Sequence, residues 1–260
     1  MTQDYLIIGV DPEKRYAIRF LCLEQGMTQS LELKQLPAAI IPTYRQLLVG
    51  SVLLGSRGDD RESALYKLHL TDSGLRINCE VSPLGTFRSA LFPQAGLDHF
   101  SLPLEGTLQV SILNRKDQIY SSTTTIASDV AQTFRDYLQQ SVQTDSLLLL
   151  HDHYALWIER LPDTSDQDWN EMKTRFSSEG FFHNHLLPFP IRILALTKPK
   201  LTCACRLESF QSAIAALPKQ ELLELFMEGK VESRCDYCNK LWTIDETFLS
   251  ELLATSRNEQ

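Results

Sequence analysis

At 260 residues, with 43% hydrophobic and 22% charged side chains, the chain has the composition of a soluble globular protein, long enough for one large domain and a small one. Its 25 Lys and Arg against 33 Asp and Glu leave a net charge of −8 and a pI near 5.3, which offers no electrostatic footprint for a phosphate backbone, so no nucleic-acid partner is expected. Six cysteines are too few for a secreted disulfide scaffold, and four of them lie at or beyond position 203.

Met1-Thr2-Gln3-Asp4 lacks the basic start and apolar core of an export signal. The most apolar stretch, 38–55, is interrupted by Pro42, Arg45 and Gly50, so no membrane span and a cytoplasmic location are expected. Residues 1–162 read as a mixed α/β body with antiparallel strands and packing helices, an α+β fold. Within it, 36–55 predicts a helix with Pro37 or Pro42 near its start and Leu47, Leu48, Ser51 and Leu54 on one face. Gly55 and Gly58 end it before a polar loop, 57–62.

Strict alternation over 75–81 predicts a strand with one buried face, paired through the turn Asp72-Ser73-Gly74 with a strand over 64–70. Leu108, Val110 and Ile112 alternate in the same way, and a turn at 114–117 leads to a Thr-rich strand over 119–126. Ser128 can cap a helix carrying Val130, Phe134, Tyr137, Leu138 and Ser141. Strands over 147–150 and 154–161 follow, joined by His151-Asp152-His153. Residues 163–200 read as a connector: 169–182 suits a short helix, and Pro188, Pro190 and Pro199 break up the remainder.

The last part, 201–260, carries the chemistry. Cys203-Ala204-Cys205 and Cys235-Asp236-Tyr237-Cys238 flank 29 residues, 206–234, and two close thiol pairs brought together supply the four thiolates that zinc favours. Asn239, directly after Cys238, tolerates the left-handed conformation such turns often require. Helices are expected over 206–217 and 219–228, the second begun by Pro218 and stopped by Gly229. A strand over 231–234 returns to Cys235, and Asp245 can cap a final helix with Phe248, Leu249 and Leu252 on its apolar side. So small a unit has a thin core, and a metal can supply the missing staple. From the residues alone the zinc reads either as structural or as redox-responsive, because thiolates held by a metal are already deprotonated and open to oxidation.

At these positions the chain resembles heat-shock protein 33, the bacterial redox-regulated holdase chaperone. The residues that carry the resemblance are Cys203-Ala204-Cys205-Arg206, Leu217-Pro218, Gly229-Lys230-Val231-Glu232 and Cys235-Asp236-Tyr237-Cys238. Weaker likeness covers 46–55, 137–143, 156–162 and Phe182-His183. The resemblance implies an α/β body over 1–162, a metastable linker over 163–200 and a zinc-binding switch domain over 201–260. It also implies a protein that is inactive when reduced and zinc-bound. Oxidation pairs Cys203 with Cys205 and Cys235 with Cys238, zinc leaves, linker and zinc domain unfold, and exposed apolar surface captures unfolding clients, often as a homodimer. The chain departs from the family pattern at 83–88, which is poor in glycine, at Asn239 where glycine is usual, and at Asn184-His185 where acidic residues are common.

His151 with His153, and His183 with His185, lack a carboxylate or cysteine partner at ligand spacing and read as turn or surface histidines. Cys79 and Cys22 sit among apolar neighbours and read as inert buried thiols. Phe176, Phe181, Phe182, Leu186, Leu187 and Phe189 either pack on the body or form a switchable client surface. No Ser-His-Asp order, phosphate loop or paired-carboxylate motif stands out, so no enzymatic turnover is expected. The competing readings are a thiol oxidoreductase using Cys235 and Cys238, and a constitutive adaptor with a structural zinc ribbon.

Overall fold

The computed structural model describes all residues except 1–2, 14, 35, 57–62, 72, 93–104, 114–115, 117, 127–128, 177–189, 230 and 256–260. Contacts divide the chain into two units, Met1–Thr202 and Cys203–Gln260.

In the first unit a five-stranded sheet has the order β10-β1-β2-β9-β8, from β1 (Tyr5–Val10), β2 (Tyr16–Cys22), β8 (Ser146–His151), β9 (Tyr154–Arg160) and β10 (Arg192–Thr197). A six-stranded sheet has the order β11-β5-β4-β3-β6-β7, from β3 (Ser63–Leu70), β4 (Arg76–Val81), β5 (Thr86–Phe92), β6 (Gly106–Leu113), β7 (Ile119–Thr125) and the short β11 (Lys200–Leu201). All pairings are antiparallel except β11 on β5. The expected strand pair is there in register, with Leu68 opposite Ile77 and Tyr66 opposite Cys79.

Helix α2 (Ile41–Gly55) was expected to bury one face, and it buries nearly its whole circumference. It touches β2, β8 and β9 of one sheet, β3 and β4 of the other, and helix α3 (Val130–Tyr137), so apolar neighbours meet it on several sides. Pro42 stands at its start, where a missing amide hydrogen costs nothing. Gly50 and Gly55 permit the closest approaches: a β-carbon at Gly50 would lie 2.5 Å from the Phe134 ring, and one at Gly55 would lie 2.7 Å from Val81. Asp129, one residue after the expected cap, accepts a hydrogen bond from the Gln132 amide at 2.7 Å and starts α3, while Ser128 lies outside the described residues. A single π turn, Leu138–Val142, ends that helix, with Gln143 left-handed at φ 57°.

Helix α1 (Glu24–Lys34) and strands β1 and β2 were not among the elements expected from the sequence. The carboxylate of Asp4 caps α1 from a distance, accepting from the Gln25 and Gly26 amides at 2.8 and 2.7 Å. Three buried hydroxyls, Ser30, Tyr44 and Ser89, then join α1, α2 and β5.

The stretch expected to lack persistent regular structure differs from that reading. Helix α4 (Asp166–Phe176) begins three residues before the expected start and packs Trp169, Met172 and Phe176 onto Tyr16, Ile18, Phe20, Tyr154, Leu156 and Ile158 of the five-stranded sheet. Phe176 therefore packs on the body. Phe181, Phe182, Leu186, Leu187 and Phe189 lie outside the described residues, as do His183, His185 and the turn and loop positions 57–62, 72, 114–115 and 117. Beyond Pro190, β10 persists because β1 supplies its partner backbone, and Gly9 makes room: a β-carbon there would lie 2.8 Å from the Arg192 carbonyl oxygen. No helix among the described residues is long and apolar enough to cross a membrane.

The second unit consists of helices α5 (Leu207–Ala215), α6 (Lys219–Met227) and α7 (Glu246–Thr255) and a two-stranded sheet of β12 (Val231–Arg234) with β13 (Leu241–Ile244). Its buried core is small: Ile214, Leu222, Ile244 and Leu249.

Candidate metal centre

The two cysteine loops are positioned by different means. Cys203 and Cys205 lie on the extended segment that leads into α5. Cys235 and Cys238 occupy the turn between β12 and β13, a strand that sequence periodicity over 231–234 did not extend to. The Asn239 amide donates to the Cys235 carbonyl at 2.8 Å and the Cys235 amide donates to the Lys240 carbonyl at 2.9 Å, closing the turn. Asn239 takes the left-handed conformation expected of it, with φ 60°. Lys240 places its ammonium 3.8 Å from the Trp242 ring centroid, which anchors the strand that leaves the turn. Gly229 is left-handed at φ 85°, ending α6 as expected, and Asp245 accepts from the Phe248 amide at 3.1 Å to begin α7.

The four sulfurs meet. All lie within 4.8 Å of one another, with Cys203 to Cys235 at 3.6 Å and Cys205 to Cys238 at 3.5 Å, and each cysteine is half-buried. These separations suit ligands rather than bonded pairs, since a disulfide brings sulfurs to about 2.05 Å. A tetrahedron with arms of ~2.3 Å has edges of about 3.8 Å, close to the spacing here. A set of four thiols selects a soft, tetrahedral cation and disfavours calcium or magnesium, which take oxygen ligands.

The electrostatics point the same way. Burial disfavours ionising Cys203, but hydrogen bonds from the Cys205 amide and from the thiols of Cys205, Cys235 and Cys238 outweigh it and lower its pKa to about 7. Burial, and then the neighbouring sulfurs, push Cys205 up to about 12, and burial raises Cys238 as well. The Cys203 thiolate therefore forms readily, Cys205 and Cys238 resist, and a cation at the centre removes that resistance.

The other sequence candidates belong to the first unit. Cys79 is fully enclosed and its thiol is pushed up to about 12 by burial; Cys22 is raised by the same cause. Both thiols are buried, as expected, and burial disfavours their ionisation. His151 and His153 lie at the β8–β9 turn, and among the described residues only the four cysteines converge as ligands. The Asp152 between them pairs with Arg45 at 3.2 Å.

The Asn239 turn makes a prediction. Asn239→Val forces a β-branched residue into the left-handed region at a cost of about 1–2 kcal/mol, and metal affinity in a chelator competition should fall roughly tenfold. Asn239→Gly should leave affinity unchanged or raise it.

Comparison with known proteins places the chain. The 33 kDa chaperonin of Pseudomonas syringae is 22% identical over 268 residues, covering 90% of this chain and 88% of that protein. The 33 kDa chaperonin of Thermoanaerobacter sp. is 42% identical over 72 residues, a match that spans 27% of this chain and 24% of that relative's length. The crystal structure of the 33 kDa chaperonin (heat shock protein 33 homolog) of Thermotoga maritima superposes with a TM-score of 0.84 at 17% identity, covering 99% of this chain and all of that one, so the α+β fold is shared. The family model described as Hsp33 protein matches residues 4–245. With that match running through both units and across all four cysteines, the chain belongs to the Hsp33 family.

Proposed function

We propose that this protein is a cytoplasmic holdase chaperone without enzymatic turnover, switched on by oxidation of Cys203, Cys205, Cys235 and Cys238. The observation that carries the reading is the convergence of four thiols in a unit whose fully buried core, among the described residues, is Ile214, Leu222, Ile244 and Leu249. Zinc (Zn2+), when bound, would hold the four sulfurs as thiolates and tie the two loops together. The domain scheme is an α/β body, 1–162, a linker region, 163–200, and a switch domain, 201–260.

The residues then act as follows. In each pair two thiolates lose two electrons to a peroxide, an S–S bond forms, and the peroxide takes up two protons and leaves as two waters. Pairing Cys203 with Cys205 and Cys235 with Cys238 ties nothing across the loops, so the unit opens. Pairing Cys203 with Cys235 would do the reverse, because a disulfide closing a long loop restrains the unfolded chain. Exposed apolar surface already precedes the cysteines: Ile193, Leu194 and Leu196 of β10 are each more than half exposed. Such surface suits capture of unfolding client proteins and association into a homodimer. No basic patch in 201–260 argues for nucleic acid, with six Lys and Arg against ten Asp and Glu.

Aggregation of a chemically unfolded client, followed by light scattering, tests the reading. The peroxide-treated protein is expected to suppress aggregation and the reduced, zinc-loaded protein to leave it unchanged. Equal suppression by both forms would favour the constitutive adaptor, and reduction of a test disulfide with turnover would favour the oxidoreductase.

A further inference from the structure

The outward face of the six-stranded sheet carries two cations beside a histidine, with no carboxylate paired to them among the described residues. Lys67 and His69 project from β3, and Arg76 on β4 stands directly opposite His69 in the antiparallel register. All three are exposed, and none has an ion pair among the described residues. They line a shallow depression of about 420 Å³ to which, among the described residues, no carboxylate contributes, in a chain whose net charge is −8. Glu80, on the same face, is engaged by the Arg88 Nε at 2.8 Å, and Glu105, just before β6, is not part of the lining.

Lys67 lies diagonal to Arg76 on the paired strands, and like charges that close add no stability, so folding alone gives no reason for the arrangement. The rest of the lining suits a bound anion. Asn78, Thr107 and Gln109 offer neutral hydrogen-bonding groups around the cations. Arg76 is held with its guanidinium carbon 5.8 Å from the Phe92 ring centroid, which steadies a flat fork of donors beside an apolar wall. Neighbouring strands lie about 4.8 Å apart, so Lys67, His69 and Arg76 fall within reach of one pair of linked phosphates. The volume is in the range of small-ligand sites, and two cations beside a histidine are too short a track for a nucleic-acid strand.

We propose that this depression binds a small molecule carrying adjacent phosphate groups, with the phosphates on Lys67, His69 and Arg76. The site is built from strands distant in sequence, so no phosphate-loop motif announces it. It stands independently of the cysteine chemistry.

Calorimetric titration of the full-length, reduced protein tests the proposal, with inorganic tripolyphosphate, ATP and adenosine as probes. Tripolyphosphate is expected to bind at about 50 mM salt and to weaken at about 300 mM, where surface charges are screened. Lys67→Gln and Arg76→Gln should each weaken it roughly tenfold or more, the loss of one charge-assisted contact, without lowering the melting temperature. Arg192→Gln, which removes one charge from the other sheet, should leave affinity unchanged. ATP binding no tighter than tripolyphosphate would identify a bare phosphate chain as the ligand. Tighter ATP binding that is lost in Phe92→Leu would identify a nucleotide, and both outcomes support the proposal. No binding of either phosphate at low salt, binding unaffected by Lys67→Gln and Arg76→Gln, or adenosine binding as tightly as ATP would overturn it.

Discussion

Removing the metal from the reduced, zinc-loaded protein with a strong chelator is expected to unfold residues 203–255 and leave the first unit folded. Binding at a structural four-thiolate site is worth roughly 10–16 kcal/mol at neutral pH, which matches or exceeds the whole stability of a typical domain. Against that, the fully buried core of the second unit is, among the described residues, Ile214, Leu222, Ile244 and Leu249, whereas the first unit has two extensive cores of its own. The same asymmetry governs a Cys238→Ser substitution, which removes one ligand and one soft donor. Hydrogen exchange read by mass spectrometry checks both. Protection should vanish across α5, α6, β12, β13 and α7 while β2, β9 and α2 keep theirs. Protection retained throughout the second unit after chelation would show that its thin core suffices. Simultaneous loss in both units would show that they fold as one.

The largest effect expected in the first unit comes from Phe134. Its ring is fully buried, meets Tyr66 with centroids 5.9 Å apart, and covers the space above Gly50. Phe134→Ala should cost about 3–5 kcal/mol, transfer of the ring plus the cavity it leaves. Gly50→Ala has the opposite defect: the new methyl would stand 2.5 Å from a ring carbon, and overpacking of this kind costs about 1–3 kcal/mol. Because the methyl and the ring compete for one space, the double variant should lose less than the sum of the two. Urea denaturation of the set measures this directly. Additive losses would mean that the ring moves aside freely, and that the contact is not the constraint proposed for α2.

What was legible in the sequence was local. Alternation over 75–81 reports a sheet with one dry face, and β4 has that pattern because only one side of its sheet meets the main core. The cysteine spacings, Asn239, Gly229 and Asp245 each answer to a nearby backbone requirement, and each was readable from its own few residues. The unread elements depend on partners far away. The cap of α1 is Asp4, across the whole length of β1 and β2, and β10 is a strand only because β1 and Gly9 receive it. β1 itself packs on both faces, so its side chains do not alternate between apolar and polar. For the same reason α2, expected to bury one stripe, buries most of its surface. The four-thiol centre was readable as a ligand set, but the proximity of Cys203 to Cys235 and Cys205 to Cys238 appears only once β12 and β13 have folded the second loop.

The most direct test of the central claim is a peroxide titration of the reduced, zinc-loaded protein in which released zinc, remaining thiols and suppression of client aggregation are read from the same samples. The account predicts that suppression rises in step with zinc release, with four thiols lost per zinc, and that peptide mapping finds Cys203 joined to Cys205 and Cys235 joined to Cys238. Suppression at full strength before any zinc is released, or complete zinc release with no gain in suppression, would contradict it.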